Sequence, residues 1–430
     1  MTFVFSRLKI GVVVACLAAM TSAVSGALPD QEEPDESELS KAERHNNLGT
    51  HHAARGDFRQ AAGAFRKAVE LDPTMTVAHY NLGLSLARTR NHTDAAFAFQ
   101  SALRLSPRYF DAWFQLGLSL MALENFGEAA TAFEECLSLR NRAPTARFRL
   151  GQSYWMVEKW AAVIAQWDSL LFESPGHPSV ELVRRELPRA FYNVGLDHQS
   201  SGNLEAAREA YEDALRLDAA YVPALSNLGI LSEATGKYAE AVKLFERAIE
   251  ADPDYRNARL GLAGAFLSLS RPTDAYLHYQ EILRADDADV QAMKGLALSA
   301  IKMGNKEEAL VWVGVASRKG SVVDALLLKA FVLEHNGKGV RYGSGYADQA
   351  AMSTYLEVIA VDSSRAEAHY NLGVIHAKAK RWTDAVSQFD QTLAVDSAHT
   401  GAKQANQEVE RILKEQNTQI LRAKIRKKKE

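Results

Sequence analysis

The chain has 430 residues, of which 47% are hydrophobic and 24% are charged, as expected of a folded soluble protein. Its formal net charge of −3 provides no strong field that would favour a nucleic-acid partner, so we expect none. A single core rarely grows this large, and the length therefore indicates several domains or a repeat array.

Residues 1–27 have the three-part pattern of a secretory signal peptide. Arg7 and Lys9 precede an apolar run, residues 10–24, and small residues lead up to Ala27. The run of about 15 residues is shorter than the ~20 that span a membrane comfortably. We therefore predict cleavage after Ala27 and a secreted or periplasmic protein.

A second interpretation of this leader stays open. Residues 13–16, Val-Val-Ala-Cys, resemble a bacterial lipobox, which would make lipidated Cys16 a membrane anchor. The apolar stretch before the cysteine is short, and this favours the first interpretation. Under both, the body of the protein leaves the cytoplasm. The body contains one cysteine, Cys136, so we expect no internal disulfide.

An acidic stretch follows the leader. Residues 28–40 carry six acidic residues, no basic residue and two prolines. Because this stretch has almost no apolar side chains to bury, we predict a disordered linker over residues 28–41.

A pattern with a period of 34 residues then recurs along the chain. Each unit has an anchor pair, Leu-Gly or a close variant, whose second residue is Gly49, Gly83, Gly117, Gly151, Gly195, Gly229, Ala263, Ala297 or Gly373. A small residue usually follows twelve positions later. After four more positions there is usually an aromatic residue, which is Phe65, Phe99, Phe133, Trp167, Tyr211, Phe245, Tyr279 or Phe389.

This pattern predicts two helices in each unit. Apolar residues at i, i+3, i+4 and i+7 define one apolar face on each helix. The small anchor residue lets the two helices approach closely, and the aromatic side chain fills the space between them. Because one such hairpin cannot bury its own apolar face, neighbouring units must stack.

These residues resemble the tetratricopeptide repeat family, whose pattern is W-x2-L-G-x2-Y, then A-x3-F-x2-A, then P. Trp113, Leu116 and Gly117 match the first block. The resemblance extends over residues 42–399. It implies an all-α fold, a right-handed superhelical solenoid of about ten stacked helix–turn–helix repeats.

The anchors also predict the organisation of the chain. Residues 42–177 contain repeats 1–4 and residues 188–399 contain repeats 5–10, with an insertion at residues 178–187 between them. Repeat nine is interrupted by a long loop, residues 336–345. Residues 400–430 are predicted to form a C-terminal capping helix and a basic tail, because the end of a solenoid needs a polar cap.

The resemblance implies that the first helix of each repeat lines a concave binding face. Asparagine often lies two residues before the anchor glycine, with Gln115 at this place in repeat three. A similar asparagine ladder lines the repeat domain of O-linked N-acetylglucosamine transferases. Amides both donate and accept hydrogen bonds, so they suit the backbone of an extended peptide. The predicted peptide-binding residues are Asn47, Asn81, Asn193, Asn227, Asn371, Tyr80, Tyr192 and Tyr370. Alternatively, these residue types are simply frequent at these repeat positions.

We find no H-E-x-x-H, Walker or G-x-S-x-G motif and predict no enzyme, cofactor or metal. The predicted function is a non-catalytic scaffold that binds a protein or peptide segment in its concave groove, outside the cytoplasm. The alternatives are an accessory subunit of an envelope enzyme complex, or a small-ligand or metal-binding repeat protein that uses the groove or the histidines of the first repeat, His45, His51 and His52. Membrane contact would involve the basic residues 422–430 or lipidated Cys16.

Overall fold

The computed structural model of the protein describes residues 40–319, 321–336, 340–346 and 348–429, with the backbone alone for residues 420–429. The predicted signal peptide and nearly all of the acidic linker lie outside these residues. Within the described ranges, no helix combines the length and the apolar character needed to cross a bilayer.

The described residues form 21 α-helices and no β-strand, apart from one isolated antiparallel bridge between His335 and Arg341. This confirms the predicted all-α fold of helical repeats. The helices belong to two compact units, the first ending at Ala219 and the second beginning at Ala220.

The first unit contains ten helices: α1 (Lys41–Ala54), α2 (Phe58–Leu71), α3 (Thr76–Arg88), α4 (His92–Leu105), α5 (Phe110–Ala122), α6 (Phe126–Leu139), α7 (Pro144–Met156), α8 (Trp160–Glu173), α9 (Val180–Ser200) and α10 (Leu204–Leu217). The second unit contains α11 (Val222–Ala234), α12 (Tyr238–Ala251), α13 (Arg256–Ser268), α14 (Pro272–Ala285), α15 (Val290–Lys302), α16 (Lys306–Lys319), α17 (Val322–Leu333), α18 (Asp348–Val361), α19 (Ala366–Lys378), α20 (Trp382–Val395) and α21 (Thr400–Lys429).

The first helix begins at a capping box. The Ser40 hydroxyl accepts a hydrogen bond from the backbone N–H of Glu43 at 3.2 Å, and the Glu43 carboxylate accepts one from the backbone N–H of Ser40 at 2.6 Å. Two backbone donors that α1 cannot satisfy internally are therefore bonded. These bonds lower the pKa of the Glu43 carboxyl, because they stabilise its charged form.

The core of seven repeats is built on a contact between a glycine of the first helix and an aromatic ring of the second. A Cβ atom at Gly83 would lie 2.6 Å from the ring of Phe99, and one at Gly373 would lie 2.7 Å from the ring of Phe389. Both rings are buried. Because real Cβ contacts are longer than these distances, glycine is the residue that allows the two helices of the pair to pack this closely.

A side-chain hydrogen bond ties several first helices to the end of the preceding second helix. Trp113 Nε1 donates to the carbonyl oxygen of Pro107 at 2.8 Å. Four other side chains make the same bond, to the carbonyl six residues earlier and at 2.6–3.2 Å, and they are His79, Arg147, Arg259 and His369. In these five repeats the position carries an N–H donor, which is the tryptophan of the family pattern in only one of them.

The predicted insertion, residues 178–187, lies mostly in helix α9. This helix has 21 residues and includes Pro188. Val183 and Leu187 are buried and belong to the same apolar cluster as Trp167 of α8. The extra residues thus lengthen the first helix of repeat five by about two turns.

Residues 400–429 form one continuous helix of 30 residues, α21. Its beginning packs on the last repeat, where Val409 joins the apolar cluster of Phe389. A single helix therefore covers both the predicted cap and the basic residues 422–429.

Candidate functional site

Several first helices contact the first helix of the next repeat in the same unit. In the first unit α1 contacts α3 and α3 contacts α5; in the second, α11 contacts α13, α13 contacts α15, α15 contacts α17 and α19 contacts α21. Side chains at equivalent positions of successive first helices can therefore approach each other. This arrangement is the one that an amide row requires.

The row is accessible on α1, α3 and α5. Asn81 is half-buried, and its amide nitrogen donates to Oδ1 of Asn46 at 3.4 Å. Asn47 is exposed, and Gln115 on α5 is half-buried. The contact between α1 and α3 is thus made by Asn46, one residue before the predicted Asn47.

The three predicted tyrosines are half-buried and pack against aromatic rings. Their nearest ring centroids are those of Tyr109, 4.8 Å from Tyr80; Tyr211, 5.6 Å from Tyr192; and His399, 4.7 Å from Tyr370. Burial raises the pKa of Tyr80 well above its ordinary value, because the phenolate would lose its hydration. These side chains therefore contribute to the packing of the repeats.

Repeat four interrupts the row. Arg149 lies at the position of the asparagine, is buried, and donates from Nη1 to Oε1 of Gln152 at 2.8 Å. Asn193 on α9 and Asn227 on α11 are half-buried. Within their own units, the neighbouring first helices have Arg149 and Gly261 at the equivalent position.

Repeats seven and eight have glycine at the asparagine position. A Cβ atom at Gly261 would lie 2.3 Å from the ring of Phe245, and one at Gly295 would lie 2.4 Å from the ring of Tyr279. In both cases the ring belongs to the second helix of the preceding repeat. The ring therefore occupies the place where an amide side chain would be, and the anchors of these two repeats are alanines.

Asn371 in repeat ten is buried, and both ends of its amide bond to the chain. Its Oδ1 accepts from Nη2 of Arg341 at 3.0 Å, and its Nδ2 donates to the Tyr355 hydroxyl at 3.0 Å. Because the amide is used inside the protein, we leave Asn371 out of the candidate binding surface.

The centre of this polar network is Glu334, whose side chain is fully buried. Its carboxylate accepts from Nε of Arg341 at 2.8 Å and from the hydroxyls of Tyr342 at 2.6 Å and Tyr355 at 2.7 Å. Burial first, and the Glu334 charge second, raise the pKa of both tyrosines. The network attaches the loop of repeat nine to helices α17, α18 and α19.

The remaining candidates for chemistry lie apart from one another. The rings of His51 and His52 are 6.3 Å apart, and the described residues contain no group of three His, Cys, Asp or Glu side chains that could hold a metal ion. Cys136 is buried, and burial raises the pKa of its thiol to about 12, so the thiolate is not available near neutral pH.

Two features of these helices do not follow from the repeat pattern. Gly261 and Gly295 lie two residues before the anchor, outside the residues that define the pattern. Glu334 follows α17 without a motif of its own. The glycine at the asparagine position is itself a sequence signal for the ring contacts at Gly261 and Gly295. No nearby sequence pattern indicates the role of Glu334.

Models of the family described as tetratricopeptide repeat match the chain at residues 46–110, 192–255, 227–290 and 349–399, and at residues 110–143. No curated protein sequence matches this chain significantly.

Solved structures with related folds include the Naa15/Naa10 complex bound to HypK-THB, yeast Tom70 and YrrB. The first is 13% identical, with a TM-score of 0.43, over 86% of this chain and 67% of that chain. Yeast Tom70 is 14% identical, with a TM-score of 0.38, over 90% and 99%. YrrB, described as a TPR protein with an unusual peptide-binding site, is 24% identical, with a TM-score of 0.32, over 43% and 90%.

Proposed function

Because this chain belongs to the tetratricopeptide repeat family, we propose that it is a non-catalytic scaffold that binds a segment of a partner protein along its first helices, outside the cytoplasm. The observation that carries this proposal is the succession of helix pairs inside each unit, where α1, α3 and α5 contact one another in turn, as do α11, α13, α15 and α17. Such a succession offers an extended surface within a unit.

The chemistry of the described residues supports a binding role. The largest upward pKa shifts are those of Tyr355 and Tyr342, whose hydroxyls bond Glu334. Burial and the Glu334 charge cause these shifts, and the bonds hold the loop of repeat nine against its neighbours. The amides on α1, α3 and α5 suit hydrogen bonding to a peptide backbone.

The extracytoplasmic location is supported by the signal-peptide pattern of residues 1–27. The mature protein should begin at Leu28, which intact-mass measurement on protein from the producing cells would show. A mass that includes a diacylglycerol on Cys16 would support the lipoprotein alternative, and a chain that still contains residues 1–27 in the cytoplasm would contradict export.

Affinity purification after mild crosslinking tests the binding function. The full-length chain should recover one or a few proteins in near-stoichiometric amounts from its own compartment. If native purifications at several salt concentrations yield the chain alone each time, the scaffold proposal fails.

A further inference from the structure

Three successive second helices of the second unit expose large apolar side chains. The residue fourteen positions after the anchor is Leu277 on α14 and Val311 on α16, and these side chains are 56% and 60% exposed. On α12 the equivalent residue is the exposed Lys243. Leu310 on α16 and Leu356 on α18 are exposed as well. A single exposed apolar residue is ordinary, whereas a run over three neighbouring repeats indicates an interaction surface.

Helix α16 is the centre of this run. Residues 309–316 read Ala-Leu-Val-Trp-Val-Gly-Val-Ala, so apolar residues surround the middle of the helix. A helix that is apolar all round is normally buried all round. Ala309 and Ala316 are buried and Val315 packs beside them, but Leu310 and Val311 remain exposed. One side of α16 is therefore apolar without being covered by the described part of the chain.

Gly314 lies on this side of α16 and is open. A Cβ atom added there would meet only the flexible end of Arg318, at 3.8 Å. Glycine is unfavourable inside a helix, and the anchor glycines of the first helices are explained by the rings that pack on them. No such contact is made at Gly314. The missing side chain leaves a depression beside the projecting Val311, which would let another helix approach closely.

Opposite charges lie at the two ends of the apolar side. Glu307 is in the first turn of α16 and Arg318 is in the last turn, and both are exposed. No ion pair among the described residues uses either of them. A helix with this arrangement complements a second copy of itself that runs in the opposite direction. A two-fold axis between residues 312 and 313 would place Glu307 opposite Arg318 of the second copy, and Val311 opposite Gly314.

We propose that two copies of this chain associate through α16, packed antiparallel across a two-fold axis and flanked by the exposed leucines of α14 and α18. The occupant is a second copy because the surface matches itself both in shape and in charge. The inference goes beyond the proposed function, since it concerns second helices and does not involve the amides of the first helices. A contact centred on one helix is small, so we expect a dissociation constant on the order of micromolar.

Charge exchange tests the pairing. Sedimentation velocity of the protein purified from its producing cells should show a dimer that forms as the concentration rises. Glu307→Arg and Arg318→Glu each place like charges opposite one another, and each should raise the dissociation constant at least about tenfold. The double variant restores opposite charges and should return to within about threefold of the parent chain. An equimolar mixture of the two single variants should also associate, because each contact in the mixed dimer joins opposite charges.

A charge in the apolar centre is the second test. Val311→Asp should abolish association, because a carboxylate would lose its hydration in the contact. Thr131→Asp is the matched control, since Thr131 is the exposed residue at the equivalent place on α6. It should leave the dissociation constant unchanged. Circular dichroism melting of each variant shows whether the fold is retained.

Several outcomes overturn the inference and leave the scaffold function standing. They are a parent chain that stays monomeric at every concentration, single charge variants that associate as the parent does, and a double variant or mixture that fails to recover. If the pure chain is monomeric and Val311→Asp removes a different protein from the affinity purification, the surface belongs to that protein and not to a second copy. Conversely, a dimer with these properties supports the inference even when the purification recovers no other protein.

Discussion

Repeats two and ten contain the same six residues, Ala-His-Tyr-Asn-Leu-Gly, at residues 78–83 and 368–373. Both copies lie in first helices, both histidines bond the carbonyl six residues earlier, and both glycines contact an aromatic ring of the next helix. The asparagines differ. Asn81 is half-buried beside Asn46, whereas Asn371 is buried between Arg341 and Tyr355.

This difference shows that the repeat pattern determines how the two helices pack. It does not determine whether a given side chain stays accessible to a partner. The loop of repeat nine adds Arg341 and Tyr342 to a position where other repeats have a short turn, and these residues converge on Glu334. The asparagine predicted to bind a peptide in five repeats is therefore a structural residue in repeat ten.

The largest effect should come from the centre of the polar network. Glu334→Ala leaves Arg341 and two tyrosine hydroxyls without their shared acceptor, so we expect the free energy of unfolding of the second unit to fall by about 3–5 kcal/mol. Urea denaturation followed by circular dichroism measures this change. Glu367→Ala, which breaks the exposed ion pair with Lys294, is the control and should cost less than about 1 kcal/mol. Equal losses would contradict the assigned role of the network.

The glycines of the two hexapeptides should respond alike. Gly83→Ala and Gly373→Ala each place a Cβ against a buried ring, at 2.6 Å and 2.7 Å, and should each cost about 1–3 kcal/mol of unfolding free energy. Gly63→Ala is the matched control, because nothing lies within 4 Å of the added atom and helix propensity favours alanine by up to about 1 kcal/mol. A stabilised Gly83→Ala variant would show that the helices are not held at this distance.

Substitution of the two asparagines should change the free energy of unfolding by different amounts. The two values compare repeats two and ten directly. Asn371→Ala removes a partner from both Arg341 and Tyr355, so we expect a loss of about 2 kcal/mol in unfolding free energy. Asn81→Ala removes one long hydrogen bond at a half-buried position and should cost at most about 0.5 kcal/mol. Chemical denaturation of the two single variants measures these losses. Equal losses of unfolding free energy would contradict the distinction between the two repeats.

Lowering the pH should reduce the stability of repeat nine by less than the substitutions above. Burial is the main cause of the lowered pKa of His335, so its ring is harder to protonate in the folded chain than in the unfolded chain. The unfolded histidine has its ordinary pKa near 6.5 and binds the proton more readily, so stability falls as the pH drops below about 6.5. The groups that face the ring are the Phe331 carbonyl and the charges of Glu334, Arg341 and Lys302.

His335→Gln should therefore lose less stability than the parent chain between pH 7.5 and pH 5.5, as measured by urea midpoints. The half-buried His92 of repeat two also has a lowered pKa, mainly through burial, and His92→Gln is the comparison. If the two variants and the parent share one pH dependence, His335 does not contribute to it.

The helical repeats could be predicted because their signals are local and recur. The spacing between the anchor and the aromatic residue follows from the geometry of two packed helices, and the same contact recurs from Gly49 with Phe65 to Gly373 with Phe389. Variation of this contact was harder to foresee. In repeats six and seven the ring packs on Gly261 or Gly295 of the following repeat, and only the arrangement of three helices shows that this is possible.

The sequence by itself determined the all-α fold, the helix pairs and the glycine–aromatic contacts inside them, because these depend on periodicity and on residues close together in the chain. The tertiary structure alone decided which amides stay accessible, since burial depends on side chains that come from distant residues. Asn81 and Asn371 have identical neighbours in sequence, and Arg341, 30 residues before Asn371, makes the difference between them.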